Sequence, residues 1–103
     1  MNPEAAKKLG IKPFDASDYL KTEQDCAEYL SVVLEDGDPA LLAAALGDVA
    51  KARGMSQVAR DSGMTREGLY KALSSQGNPS FATVMKVLHA LGLQVSVQPA
   101  AHA

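Results

Sequence analysis

The stretch SQVARDSGMTREGLYKAL, residues 56–73, decides the fold of this chain. It contains two short helix-forming segments separated at Gly63, and two helices joined by a short turn that contains glycine form a helix-turn-helix. Glycine adopts a left-handed conformation at low cost, which a sharp turn requires. Ala59 is small enough for the two helices to cross closely, and Val58 and Leu69 are placed to anchor the pair to neighbouring helices.

Helical patterns flank this stretch on both sides. Apolar residues recur at helical spacing over residues 22–37, 38–53 and 80–91, which favours three further helices. Each predicted helix begins at a residue that can cap its first amide groups, and most end at a glycine. The predicted N-terminal caps are Thr22, Asp38, Ser56, Thr65 and Ser80. The chain is therefore predicted to be all-α apart from one segment near its C-terminus.

That segment is LQVSVQP, residues 93–99, which alternates apolar and polar residues and is predicted to form a short β-strand. A lone strand seldom persists in so small a helical protein. Pairing of Leu93, Val95 and Val97 with their twin copies across a two-fold axis would satisfy the backbone. A dimer would also span two DNA half-sites about 34 Å apart. We therefore expect a homodimer that forms through this strand.

The length of 103 residues is typical of one domain with modest appendages. Residues 1–37 are predicted to hold a loose tail and an acidic amphipathic helix, residues 38–92 a helix-turn-helix domain, and residues 93–103 the strand and a tail. Cys26 is the only cysteine, which excludes an internal disulfide and fits a reducing cytoplasm. The N-terminus lacks an apolar secretory signal, and no apolar run is long enough to span a bilayer. We expect a cytoplasmic protein with no membrane partner.

The net charge of −2 conceals an uneven distribution. Residues 1–50 carry ten acidic residues against four lysines, whereas residues 51–103 carry six basic residues against two acidic ones. Such asymmetry favours two different partners, one anionic and one cationic. The alternative is a solvated surface whose charge is uneven by chance.

Long polar side chains on the second helix of the pair indicate DNA as the anionic partner. The N-terminal part of this helix enters the major groove in helix-turn-helix proteins. Arg66 could bind guanine O6 and N7 in a bidentate manner, and Lys71 could bind a base or a phosphate. Gln57 and the loop after the helix are placed for contacts with the DNA backbone. The predicted DNA-binding residues are Gln57, Thr65, Arg66, Glu67, Tyr70, Lys71, Ser75 and Asn78.

Each of these residues also has a purely structural interpretation. Arg66 and Lys71 could form a solvated helix face. Glu67 could stabilise the helix through its interaction with the helix dipole, rather than accept a hydrogen bond from cytosine N4. Tyr70 could pack over the adjoining loop. Gly68 costs about 1 kcal/mol relative to alanine within a helix, so we expect a close approach there, either to DNA or to a neighbouring helix.

The run from residue 38 to residue 93 resembles the addiction-module antidotes, which are HigA-like helix-turn-helix antitoxins. MSQVARDSGMTREGLYKAL (55–73) and NPSFATVMKVL (78–88) carry the resemblance, which extends over about residues 14–98. It implies a lambda-repressor-like fold, neutralisation of a small RelE/ParE-like toxin encoded beside the antidote, and repression of the shared operon. Under this resemblance Thr65, Arg66, Glu67 and Lys71 correspond to recognition-helix positions.

The acidic N-terminal part suits a toxin of that class, which is typically basic. Residues 14–38 carry eight acidic residues and one lysine, and complementary charge favours encounter and the correct register. An amphipathic acidic helix could place its apolar stripe on the toxin, although such a stripe could equally pack on its own domain. The predicted toxin-binding residues are Phe14, Tyr19, Leu20, Tyr29, Leu30, Val33 and Leu34.

Three alternative functions remain open: a free-standing Cro-like regulator without a toxin, an enzyme, and a module that binds only protein. His89, His102 and Cys26 are far apart in sequence, and no metal-ligand spacing or nucleophile–base pair emerges. We therefore expect no catalytic residue, no metal and no cofactor. A strong salt dependence of binding would separate DNA recognition from protein binding.

Overall fold

A computed structural model describes residues 19–74 and 77–100. Within these residues the chain forms five α-helices: α1 (Glu23–Asp36), α2 (Pro39–Arg53), α3 (Met55–Asp61), α4 (Arg66–Ala72) and α5 (Phe81–Ala90). Helix α1 packs on α2, and α3 packs on α2, α4 and α5. The all-α prediction is confirmed for the described part of the chain. None of the helices in that part has the length and apolar character needed to cross a membrane.

Local sequence explains where the first two helices begin. The Thr22 hydroxyl accepts a hydrogen bond from the Asp25 amide at 3.0 Å, and the Asp25 carboxylate accepts one from the Thr22 amide at 3.1 Å. This reciprocal pair is a capping box. Asp38 caps α2 by accepting from the Ala40 amide at 3.0 Å, and Pro39 occupies the first helical position, where its missing N–H costs nothing.

The start of α3 differs from the prediction. Ser56 was expected to cap this helix but lies inside it, because α3 already begins at Met55. Gly54 ends α2 and immediately precedes α3, and its positive φ of 106° turns the chain sharply between the two helices. No side-chain hydrogen bond caps the α3 N-terminus.

The turn between α3 and α4 has the geometry that the sequence predicts at Gly63. Gly63 has a φ of 73°, its amide donates to the Arg60 carbonyl at 3.1 Å, and the Met64 amide donates to the Ala59 carbonyl at 2.9 Å. These two bonds are the Schellman pattern that ends helices at a left-handed glycine. The next helix, α4, follows at once, because its N-cap, Thr65, lies two residues after Gly63.

The core draws on all five helices and on Leu20, which precedes α1. Val58 and Leu69 are 3% and 0% exposed, so both anchor the helix pair as predicted, and Ala59 is 2% exposed at the crossing. Other core side chains include Cys26, Tyr29, Leu46, Val49 and Val87. Because α1 contributes to this core, residues 22–36 pack as part of the same folded unit as the helices that follow.

The prediction of a β-strand at residues 93–99 is wrong. Residues 93–100 have no regular secondary structure, and no strand forms within the described ranges 19–74 and 77–100. A single strand is not stable by itself, and the described part of the chain offers no second strand to pair with it. Leu93 packs partly against the core, whereas Val95 and Val97 are exposed.

Candidate functional site

Helix α4 presents a polar face to solvent. Leu69 is fully buried, and the side chains around it, Arg66, Glu67, Tyr70 and Lys71, are all exposed. This division follows from helical geometry, in which one apolar position faces the core while its sequence neighbours point outward. Two cations therefore stand on an accessible surface, together with an aromatic ring that is 57% exposed.

The first turn of α4 is organised by its own cap. The Thr65 hydroxyl accepts a hydrogen bond from the Gly68 amide at 2.9 Å. A Cβ atom built on Gly68 would lie only 2.9 Å from the same hydroxyl oxygen. The close neighbour of Gly68 within the chain is thus the Thr65 side chain, and not another helix as one of the two sequence-based expectations held.

Lys51 extends this surface beyond α4, and sequence reasoning missed it. Its Nζ atom lies 5.3 Å from the centre of the Tyr70 ring, a cation–π distance. Lys51 is in the last turn of α2, nineteen positions before Tyr70, and both residues are exposed. The basic character of the α2 terminus was visible in the sequence, but its proximity to Tyr70 depends on how α2 packs beside α4. This contact also differs from the alternative in which Tyr70 packs over the adjoining loop.

The packing of α4 against α2 depends on a glycine. Gly47 is buried on α2, and a Cβ atom at this position would lie 2.9 Å from the carbonyl oxygen of Leu73 and 3.6 Å from the Leu73 Cβ. Real Cβ atoms essentially never approach a backbone oxygen so closely. Gly47 therefore lets the C-terminal end of α4 lie directly on α2, which fixes how far the polar face of α4 stands from the core.

The remaining predicted DNA-binding residues have mixed surroundings. The Gln57 side chain donates to the Asp61 carboxylate at 2.8 Å and accepts from the Arg60 guanidinium at 3.2 Å, so its amide is already engaged along α3. Asn78 is exposed after α4. Ser75 lies outside the described residues.

The predicted toxin-binding residues separate into two groups. Leu20, Tyr29, Leu30 and Val33 are at most 2% exposed, so in this fold they are core residues. The alternative in which the stripe packs on its own domain is the observed one. Leu34 is 49% exposed, and Tyr19 is half-buried against the core. Phe14 lies outside the described residues.

A hydrogen bond joins α1 to α2 at the centre of this packing. The hydroxyl of Tyr29, which is fully buried, donates to the Asp48 carboxylate at 3.2 Å. At the end of the same interface, the Arg53 guanidinium donates to the Lys21 carbonyl. Burial raises the pKa of the Cys26 thiol, which lies in this interface, and keeps it in the neutral form.

Comparison with known proteins gives the family. The chain matches, over residues 10–99, the family described as "probable addiction module antidote protein". The chain belongs to this antidote family. The matched range includes α1 to α5 and nearly all of the segment after α5. An antidote of an addiction module implies a toxin as its partner, so membership supports an antitoxin role.

The family also has a relative that resembles this antidote along most of its length. An uncharacterized protein of Haemophilus influenzae (strain ATCC 51907 / DSM 11121 / KW20 / Rd) is 54% identical over 88 residues, which cover 85% of this chain and 91% of the relative. No solved structure matches the antidote. Across residues 19–74 and 77–100 of the antidote, no group of three or more His, Cys, Asp or Glu side chains is arranged to hold a metal ion.

Proposed function

We propose that this antidote is a HigA-like antitoxin that binds operator DNA with the exposed face of α4 and represses its own operon. The observation that carries the proposal is the outward projection of Arg66 and Lys71 from a helix whose Leu69 is fully buried. The pair α3–α4 then acts as a lambda-repressor-like helix-turn-helix, with the N-terminal part of α4 in the major groove. Lys51 adds a third cation beside Tyr70, placed for a phosphate.

The experiment for this part is a binding titration with duplex DNA from upstream of its own gene. Fluorescence anisotropy at several salt concentrations should give a logarithm of affinity that falls linearly with the logarithm of salt concentration. Arg66→Ala should weaken discrimination between the operator and base-substituted duplexes, because a bidentate guanine contact contributes roughly 1–3 kcal/mol of specificity. A flat salt dependence, or no binding to the upstream duplex, would refute DNA recognition.

The second half of the proposal is neutralisation of a RelE/ParE-like toxin by direct binding. It is supported by family membership and by the acidic composition of α1, which contains five Asp or Glu residues and no Lys or Arg. The small basic protein encoded by a neighbouring gene should co-purify with the antidote at a fixed ratio. If no such protein binds while operator binding persists, the chain is a free-standing Cro-like regulator.

We further propose a non-enzymatic, cytoplasmic homodimer, with Leu93, Val95 and Val97 as the dimer contacts. Residues 93–100 have no regular secondary structure and Val97 is 94% exposed, which supports pairing of this segment with a second copy. Light scattering should report a dimer for the full chain and a monomer after truncation at Gly92. A dimer that survives this truncation would place the interface elsewhere.

A further inference from the structure

An open groove runs between α1 and the segment after α5. Its volume is about 430 Å³, and its floor is formed by apolar side chains from both walls and from α5, namely Leu30, Leu34, Leu88, Leu93 and Val95. Leu34 and Val95 remain 49% and 45% exposed. Both side chains line the groove, so an apolar group of a partner placed there would cover them.

The two walls of the groove differ in charge. Of the five acidic residues of α1, only Glu23 lines the groove, and the helix has no basic residue, whereas residues 92–100 carry no charge. An occupant with basic side chains on one side would match the α1 wall, and neutral groups would match the other. A second copy of this chain would bring an identical acidic helix and would leave the α1 carboxylates unmatched.

The backbone of the neutral wall is also available. Residues 94–98 make no backbone hydrogen bond to any part of the described chain. Amide and carbonyl groups that make no hydrogen bond within the described chain are available to an extended chain that adds beside them, as in β-strand addition. The groove thus combines apolar side chains, the Glu23 carboxylate and backbone groups that make no hydrogen bond within the described chain.

We propose that this groove is the docking site for the toxin, and that it takes an extended basic segment of that protein. This inference rests on the proposed antitoxin function and names its contact surface. The segment pairs with the backbone of residues 94–98, inserts alternate apolar side chains beside Leu34 and Val95, and directs Lys or Arg side chains toward α1. An extended segment has two hydrogen-bonding edges, so occupation of the groove edge leaves the other edge for a twin copy.

The test uses the full-length antidote and, as the probe, the purified small basic protein encoded beside its gene. Leu34→Lys places a like charge in the path of a basic segment and removes an apolar contact. Phe81→Lys is the matched control, because Phe81 is also an exposed apolar residue, 77% exposed at the start of α5, and does not line the groove. Calorimetric titration should show at least tenfold weaker binding for Leu34→Lys and a change below twofold for Phe81→Lys.

The remaining outcomes are also decisive. Equal affinity of Leu34→Lys and wild type for the probe would overturn the groove as the docking site. A change in the oligomeric state of the free Leu34→Lys variant, measured by light scattering, would assign the groove to a second copy instead. If wild type itself does not bind the probe, the antitoxin function fails, and the groove proposal fails with it. Operator binding by both variants should match wild type, which shows that they are folded.

Discussion

Replacing Lys51 by methionine tests the proposed DNA-binding surface at a residue that sequence reasoning missed. Methionine keeps an unbranched side chain and good helix propensity but removes the charge that lies 5.3 Å from the Tyr70 ring. Lys51 and Tyr70 are both exposed, so the lost cation–π contact should cost no more than about 1 kcal/mol of folding stability. A loss of DNA affinity in Lys51→Met would therefore not be explained by unfolding of the protein.

The size of that effect follows from the number of cations on the surface. Lys51, Arg66 and Lys71 give three per protomer, and a two-fold dimer presents six. If Arg66 contacts a base while Lys51 and Lys71 contact phosphates, a dimer makes four phosphate contacts, and the slope of log affinity against log salt is about −3.6; removing Lys51 from both protomers brings it to about −1.8. Lys51→Met should lower affinity for all duplexes by a similar factor, because a phosphate contact carries no sequence information.

The assay is fluorescence anisotropy with the upstream duplex from about 50 to 300 mM salt, the range in which such slopes are measured. Lys21→Met is the matched control. Arg53 contacts the Lys21 carbonyl, so Lys21 lies beside residue 53 of α2. Residues 51 and 53 point to opposite sides of α2, because each position turns the helix by about 100°. Lys21 is therefore an exposed cation on the side of α2 away from Lys51. An unchanged slope in Lys51→Met would show that Lys51 does not contact the DNA phosphates. An equal loss of slope in Lys21→Met would show that overall charge, rather than this face, determines binding.

Three further predictions concern the scaffold. Gly47→Ala should destabilise the protein by about 1 kcal/mol, since overpacking against the Leu73 carbonyl costs about 1–3 kcal/mol and the gain in helix propensity returns about 1; thermal unfolding that shows a higher Tm would contradict this reasoning. Gly63→Ala should cost about 1–2 kcal/mol from backbone strain alone, because nothing lies within 4 Å of the new Cβ, so Gly63→Asn should recover part of the loss in the same urea titration. The raised pKa of Cys26 means that the folded state holds the thiol proton more tightly than the unfolded state, so the contribution of this thiol to stability is constant below about pH 8.5 and decreases as pH rises further; Cys26→Ala should remove this part of the pH dependence, measured as the urea midpoint between pH 7 and 9.5.

Local sequence signals predicted the helices because each signal is satisfied within a few residues. Thr22, Asp38, Thr65 and Ser80 cap the helices that were assigned to them, since a cap needs only amides two or three positions ahead. The expectation for Ser56 was wrong because Gly54 turns the chain so tightly that α3 starts two residues earlier, at Met55.

Features that depend on packing between helices were harder to predict. The periodicity of α1 gave the apolar stripe correctly, but periodicity cannot say whether a stripe faces its own core or a partner. Tyr29 was therefore assigned to a toxin contact although it is fully buried. In the same way, the contact between Lys51 and Tyr70 and the close approach of Gly47 to Leu73 join residues that are distant in sequence. The segment at residues 93–97 has a strand pattern, yet a strand also requires a partner that the pattern does not supply.

The alanine-rich α2 lies between α4, the helix proposed to face the operator, and the acidic helix α1. Ala43, Ala45 and Ala50 are at most 2% exposed, so they belong to the packed layer and not to either outer surface. Redesign of either outer surface consequently needs no repacking of the layer between them. Operator preference and toxin preference should be exchangeable one at a time between modules, which makes this small scaffold suitable for building orthogonal regulatory pairs.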